Sequence, residues 1–240
     1  MSTTTNAILS VNANDTSSTT TLSEELRELI KAHRHVPVPN PTSIAIAKEM
    51  IDDPRTFSDF TSKAKALKKI VQRNLNVLWL QLPAGLSDAL KTRCILSGSS
   101  ISSLYHNEVV KDFDLWLADF GPKNTDLLHM DELIRKTYDD YIAEYSEEYS
   151  GMKKTHKVVT QNAITLINKM QFITLAKYEN ARIGFDFVHC MPFYDLRTDK
   201  FYISEQQMNV IANKKLVQNP TGNTPVQWRI DKFLKRGWTF

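Results

Sequence analysis

Residues 111–117, KDFDLWL, carry the pattern from which the fold is inferred. Their apolar and polar side chains alternate, and successive side chains of a β-strand point to opposite faces of the sheet. The phenylalanine and both leucines therefore pack on one side, while Asp112 and Asp114 project together from the other. The pattern predicts a strand at 113–117 that aims two carboxylates at one point.

The preceding stretch, LSGSS at residues 96–100, predicts a phosphate-binding turn. The residues from 94 to 96 predict a short buried strand, and a short helix follows and ends near residue 106. Because Gly98 has no side chain, backbone N–H groups can approach phosphate oxygens there. A helix that begins at this turn directs its positive end toward the anion. Ser99 and Ser100 add hydroxyl donors.

A third stretch, GFDFV at residues 184–188, places Asp186 between two phenylalanines and predicts a strand at 183–189. If this strand neighbours the first one, Asp186 joins Asp112 and Asp114. Three close carboxylates repel one another and raise their pKa values unless a cation lies between them. Oxygen-only ligation of this kind suits Mg²⁺ or Mn²⁺. The sequence therefore predicts a metal site formed by these three aspartates.

Together these motifs resemble the DNA polymerase beta superfamily of nucleotidyltransferases, over about residues 93–190. The shared pattern is a strand, Gly-Ser, a short helix, Asp-x-Asp on a strand, and a later Asp between hydrophobic residues. The resemblance implies that Asp112 and Asp114 bind both metal ions and that Asp186 serves the ion that activates the nucleophile. It also implies that Gly98 and Ser99 contact the phosphates.

The run FDFVHC at 185–190, followed by Tyr194 and Asp195, is most similar to small nucleotidyltransferase-fold proteins of tailed bacteriophages. The implied activity moves a nucleoside monophosphate from an NTP, such as ATP, onto a hydroxyl of RNA, protein or a small molecule. The alternative function is a non-catalytic component of a phage particle or replication assembly, held by a protein partner through residues 1–82. A weaker option is the nucleotidyltransferase half of a toxin–antitoxin pair.

Several basic residues are candidates for binding phosphate or nucleic acid. Lys111 either steadies a phosphate or is a surface lysine. Arg229 lies in a segment at 224–237 that is similar to the arginine-bearing helix of tRNA nucleotidyltransferase-like proteins. With Lys232 and Arg236 it either neutralises a triphosphate, clamps nucleic acid or complements the helix dipole. A basic cluster at 153–157 is either a phosphate-backbone track or a solvated loop.

Other conspicuous residues are expected to be structural. His189 has no partner pair for zinc and is interpreted as a core histidine. The two cysteines are expected to be buried thiols in a reducing compartment. Glu108 and Asp119 are possible rival metal ligands. The four tryptophans are interpreted as core anchors rather than base-stacking platforms, namely Trp79, Trp116, Trp228 and Trp238.

Composition limits the function classes. The 240 residues, 42% of them hydrophobic, suffice for one sizeable core, and the formal charge of +3 does not indicate a nucleic-acid binder. Apolar runs are too short for a membrane span, so a cytoplasmic protein is expected, in the host cytoplasm or associated with the virion if a phage encodes it.

The predicted fold is α+β, a small mixed sheet with helices on one face and a helical region before it. The predicted domains are a disordered or partner-bound tail at 1–21, a helical region at 22–90, the core at 91–203 and terminal helices at 204–240. The helices are expected at 22–30, 43–51, 57–82, 124–149, 204–214 and 224–236. Further strands are expected at 163–167, 171–176 and 201–203.

Overall fold

The computed structural model describes residues 52–82, 84–117, 134, 157–160, 163–166, 169–173, 178 and 182–240. The described α-helices are α1 (Phe60–Trp79), α2 (Ala84–Lys91), α3 (Ser99–Tyr105), α4 (Glu205–Ala212) and α5 (Gln227–Leu234). The strands are β1 (Cys94–Ser97), β2 (Phe113–Leu117), β3 (Lys157–Val159), β4 (Ala163–Leu166), β5 (Met170–Ile173), β6 (Phe193–Asp195) and β7 (Lys200–Tyr202).

The seven strands form one mixed sheet in the order β3-β4-β5-β2-β1-β6-β7. The pair β2–β5 is parallel, and each of the other neighbouring pairs is antiparallel. The α+β class is therefore confirmed. β2, the strand with the alternating carboxylates, lies at the centre of the sheet, where neighbours on both sides satisfy its backbone.

The two faces of the sheet carry different environments. One face contributes Leu96, Phe113 and Leu115 to the main core, where they pack with buried residues of α1, α3 and α4. On the opposite face, Ile95 and Tyr178 form a smaller cluster against which Trp116, Phe185 and Phe193 pack. We call this second side the open face. The alternation along β2 assigns Asp114 to the open face with Trp116.

Helix α1 covers most of the predicted helix at 57–82. Asp59 caps it, accepting a hydrogen bond from the backbone N–H of Ser62 at 2.8 Å. Its buried side chains recur every four residues, at Leu67, Val71, Leu75 and Trp79, so one stripe enters the core. Burying side chains of this size stabilises by roughly 1.5–3 kcal/mol each. Helix α1 thus shares a core with the sheet.

The predicted strand at 183–189 is wrong. The 3₁₀ helices Arg182–Gly184 and Val188–Cys190 flank a bend at Asp186, and Phe187 makes only an isolated bridge to Gln218. The backbone carbonyl groups of this segment accept hydrogen bonds from a loop instead. The N–H of Asn219 donates to the carbonyl of Asp186 at 2.8 Å, and its side-chain amide donates to that of Phe185 at 2.9 Å.

Other boundaries shifted slightly, and two short strands, β3 and β6, were not predicted. The strands expected at 163–167 and 201–203 correspond to β4 and β7, and the two terminal helices correspond to α4 and α5. The tail and the helices expected at 22–30 and 43–51 lie outside the described residues, as does most of 124–149. Within the described part of the chain, no helix is long and apolar enough to cross a membrane.

Candidate functional site

A pocket of about 560 Å³ opens on the open face. We call it the sheet pocket. All of the predicted site residues except Ser100 line it, together with residues from the loop before α5 and from α5 itself. The lining contributed by the predicted residues is Gly98, Ser99, Lys111, Asp112, Asp114, Asp186 and Arg229. The structure thus brings together predicted residues from four separate stretches of sequence.

Asp112 and Asp114 lie on the same side of the chain because only one residue separates them at the start of β2. Burial and, secondarily, the negative charge of Asp112 raise the pKa of Asp114 to about 7. The cations Lys232, Arg229 and Lys111 oppose this increase. A further cation close to the two carboxylates would favour the charged form of Asp114.

Gly98 is required by the position of Asp114. Its φ is +102°, and a Cβ atom added to it would lie 2.6 Å from Oδ2 of Asp114. The N–H of Gly98 donates to the carbonyl of Cys190 at 3.1 Å, and Ser97 Oγ donates to that of Pro192 at 3.0 Å. These bonds tie the turn to the segment that follows Asp186.

Ser100 does not line the sheet pocket. It is only 2% exposed and lies on the buried side of α3. Ile101 and Ser103 of the same helix are also buried. The Ser100 hydroxyl has no hydrogen-bond partner among the described residues. Only Gly98 and Ser99 of the predicted turn therefore face the pocket.

Asp186 is 7% exposed and is held by Arg229. The guanidinium binds both carboxylate oxygens: Nε contacts Oδ2, and Nη2 donates to Oδ1 at 3.0 Å. Such a bidentate pair fixes the geometry of both side chains. The sequence predicted Arg229 as a site residue but did not predict its ion pair with Asp186.

The donor set fits a magnesium ion only in part. Among the described residues, no group of three or more His, Cys, Asp or Glu side chains could hold a metal ion. Asp186 is occupied by Arg229, whereas Asp112 and Asp114 form no ion pair with a described residue. Mg²⁺ is usually bound by one or two carboxylates together with substrate phosphates. The pair fits such an ion, and the three-carboxylate site does not form while Arg229 holds Asp186.

Lysines and an arginine surround the carboxylates. Lys111 is exposed and Lys232 is half-buried, and both line the sheet pocket. Burial and, secondarily, the nearby charge of Arg229 lower the pKa of Lys232. The pocket therefore combines three cationic with three anionic side chains, an arrangement suited to a ligand that carries phosphates and a divalent cation.

Arg236 does not join this group. It donates to Ser103 Oγ at 2.6 Å and also binds Glu108, which Lys214 contacts at 2.6 Å. The predicted face formed by Arg229, Lys232 and Arg236 is therefore divided between the pocket and a separate ion-pair cluster. Glu108 is not a rival ligand at the pocket, and Asp119 lies outside the described residues. So does the basic cluster, apart from Lys157 in β3.

Comparison with known proteins found a matching family. The model of the Gabija anti-defense 2 family matches residues 59–214. The chain belongs to the Gabija anti-defense 2 family. No curated protein and no solved structure matches it. The matched residues include the whole sheet and every predicted site residue except Arg229.

In this member of the Gabija anti-defense 2 family, some of the remaining structural predictions are confirmed and others are not. His189 is fully buried, with its ring 4.4 Å from that of Phe233 and 4.1 Å from that of Trp238, so the core interpretation is confirmed. Both cysteines are buried thiols, as expected. Trp79 and Trp238 are confirmed as core anchors.

Trp228 is not the core anchor that its residue type suggested. It is 63% exposed and lines the sheet pocket, and the half-buried Trp116 lines it too. Helical spacing could have indicated this position, because Trp228 and Lys232 are four residues apart and so share a face of α5. A larger pocket of about 790 Å³ lies between α1 and the loop at 107–110 and contains none of the predicted site residues.

Proposed function

We propose that this protein counteracts the defence named by its family, Gabija, and that it does so as a nucleotidyltransferase acting through the sheet pocket. Family membership supports the anti-defence role. The observation that carries the enzymatic part is the convergence of the Gly98 turn, the Asp112–Asp114 pair and three cations on one pocket. Carboxylates beside cations suit a magnesium nucleotide better than an uncharged ligand.

In this proposal the triphosphate lies along the Gly98 turn. The absent side chain lets the carboxylate of Asp114 lie against the turn, and Lys111 and Lys232 supply positive charge. Asp112 and Asp114 would hold a magnesium ion that arrives with the nucleotide. Such an ion neutralises phosphate charge as it builds on the leaving pyrophosphate.

The reaction joins an acceptor hydroxyl to the α-phosphorus. A new bond forms between the hydroxyl oxygen and phosphorus, the bond to the bridging oxygen of the β-phosphate breaks, and pyrophosphate leaves with that electron pair. The hydroxyl proton passes to water. Catalysis of this kind depends on positioning and electrostatic stabilisation. The acceptor is an RNA, protein or small-molecule hydroxyl.

A second candidate is a non-catalytic inhibitor that uses the same fold. The Arg229–Asp186 pair favours it, because the third carboxylate of the expected metal site is already neutralised. An inhibitor would act through a protein partner, and the family description favours such a phage-related role. A structural component of a phage particle or replication assembly is a variant of this candidate.

The two candidates differ in their response to loss of the carboxylates. Bacteria carrying Gabija genes would be infected with a phage that this defence restricts, while expressing the wild-type chain, Asp112→Asn, Asp114→Asn or the control Asp88→Asn. Asp88 is an exposed residue of α2 outside the pocket, with its side chain 65% exposed. An enzyme requires both pocket carboxylates, so the first two variants should lose the counter-defence and the control should retain it.

Label transfer provides the biochemical readout. Purified wild-type protein incubated with α-³²P-labelled NTPs, magnesium and a lysate of the defended cells should produce labelled macromolecules or small molecules, and the Asp114→Asn protein should not. Circular dichroism would verify that the variant is folded. Full counter-defence by Asp114→Asn would refute the enzymatic proposal and favour the non-catalytic inhibitor.

A further inference from the structure

Trp228 is a large aromatic side chain left exposed at a charged pocket. It is 63% exposed, whereas Trp79 and Trp238 are at most 2% exposed. Trp116, on the same pocket, packs its ring 6.1 Å from Tyr178 and 6.0 Å from Phe185. An exposed indole leaves a large apolar surface in water, and covering that surface with a flat ligand is favourable.

The neighbours of Trp228 carry positive charge. The guanidinium carbon of Arg229 lies 5.7 Å from the centre of the Trp228 ring. Lys232 lies one helical turn further along α5, and all three line the sheet pocket. This short helix therefore presents an aromatic surface beside cationic groups. A nucleotide has the matching arrangement, with a flat base at one end and a polyphosphate at the other.

We propose that Trp228 is the platform on which the nucleobase stacks, and that it gives the pocket a preference for purine nucleotides. The proposal rests on the proposed function for the presence of a nucleotide, and it adds the substrate class and the residue that selects it. Purines present a larger ring surface to the indole than pyrimidines do. Base–aromatic stacking contributes enough to change affinity by about tenfold or more.

An exposed tryptophan could also bind a protein partner. The observations favour a nucleotide because Trp228 lies in the lining of a concave site with three cations and three carboxylates, rather than on a flat apolar patch. Charged residues are depleted at the centres of protein interfaces. In the experiment below, weaker purine binding by Trp228→Ala supports a nucleotide as the occupant, and unchanged purine binding favours a protein partner.

The test measures affinity by calorimetry, with magnesium and α,β-methylene analogues of ATP, GTP, CTP and UTP. Inorganic tripolyphosphate serves as the probe that lacks a base. The proteins are wild type, Trp228→Ala, Trp228→Phe and the control Leu234→Ala. Leu234 is 42% exposed on the same helix but does not line the pocket.

For the wild type, the purine analogues should bind more tightly than the pyrimidine analogues and tripolyphosphate. Trp228→Ala should weaken purine binding about tenfold and leave tripolyphosphate binding unchanged, because only the base contacts the indole. Trp228→Phe should retain most of the affinity, and Leu234→Ala should match the wild type.

Two results would overturn the inference while the proposed function stands. One is purine affinity unchanged in Trp228→Ala, and the other is an equal loss for tripolyphosphate, which would mean that Trp228 acts through the phosphate-binding residues. If neither a nucleotide analogue nor tripolyphosphate binds the wild-type protein at millimolar concentration, both the inference and the proposed function fail.

Discussion

Replacing Gly98 with alanine should damage both stability and nucleotide binding. Gly98 has φ +102° and ψ −166°, a backbone conformation populated almost only by glycine, and holding alanine there costs about 1–3 kcal/mol. The new Cβ would also lie 2.6 Å from Oδ2 of Asp114, so the carboxylate has to move. We expect a loss of about 1–3 kcal/mol in urea unfolding and loss of magnesium-nucleotide binding by calorimetry.

Gly237→Ala is the matched control. Gly237 has φ +80°, but an added Cβ would meet nothing within 4 Å. This variant should therefore show a loss of stability from the positive φ and no change in nucleotide binding. If Gly98→Ala binds the magnesium nucleotide as well as Gly237→Ala does, the turn does not position Asp114 for nucleotide binding.

Two further predictions concern the segment around Asp186. The pKa of His189 is lowered to about 3 by burial and, secondarily, by nearby cations, so the unfolded chain takes up a proton below about pH 6.5 that the folded chain does not. The contribution of His189 to the free energy of unfolding should therefore become less favourable by about 2 kcal/mol between pH 7 and pH 5. The raised pKa of Asp114 acts in the opposite direction over this range, so the test is the difference in free energy of unfolding between wild type and His189→Leu, measured by urea unfolding at both pH values. Arg229→Met should lower the free energy of unfolding by about 2–3 kcal/mol because it leaves Asp186 buried without its partner. Adding Asp186→Asn to this variant should restore part of the lost stability. Strictly additive losses in the double variant would contradict this account of the pair.

The sheet was predictable where local pattern and burial agree. The alternation around Asp114 predicted the bounds of β2, and the apolar run before Gly98 predicted β1, because both strands lie at the centre of the sheet and bury one side completely. The segment around Asp186 does not follow its local pattern. Aromatic residues on both sides of an acid suit a strand, but here they suit a buried loop whose backbone is satisfied by Asn219.

The site was predictable in its residue types and less so in its contacts. Asp112 and Asp114 are neighbours in sequence, so their shared direction follows from strand geometry alone. The pairing of Arg229 with Asp186 joins positions 43 residues apart, and no local pattern indicates it. Trp228 was assigned to the core by residue type, whereas α5 buries only Phe233 fully and leaves Trp228 at the pocket.

A crystal structure of the protein grown with magnesium and an α,β-methylene NTP would show whether the sheet pocket binds a nucleotide. We expect the triphosphate beside the Gly98 turn, with the metal ion on Asp112 and Asp114. A nucleotide bound only in the larger pocket near α1, or no nucleotide at all at millimolar concentration, would contradict the assignment of the sheet pocket as a nucleotidyltransferase site.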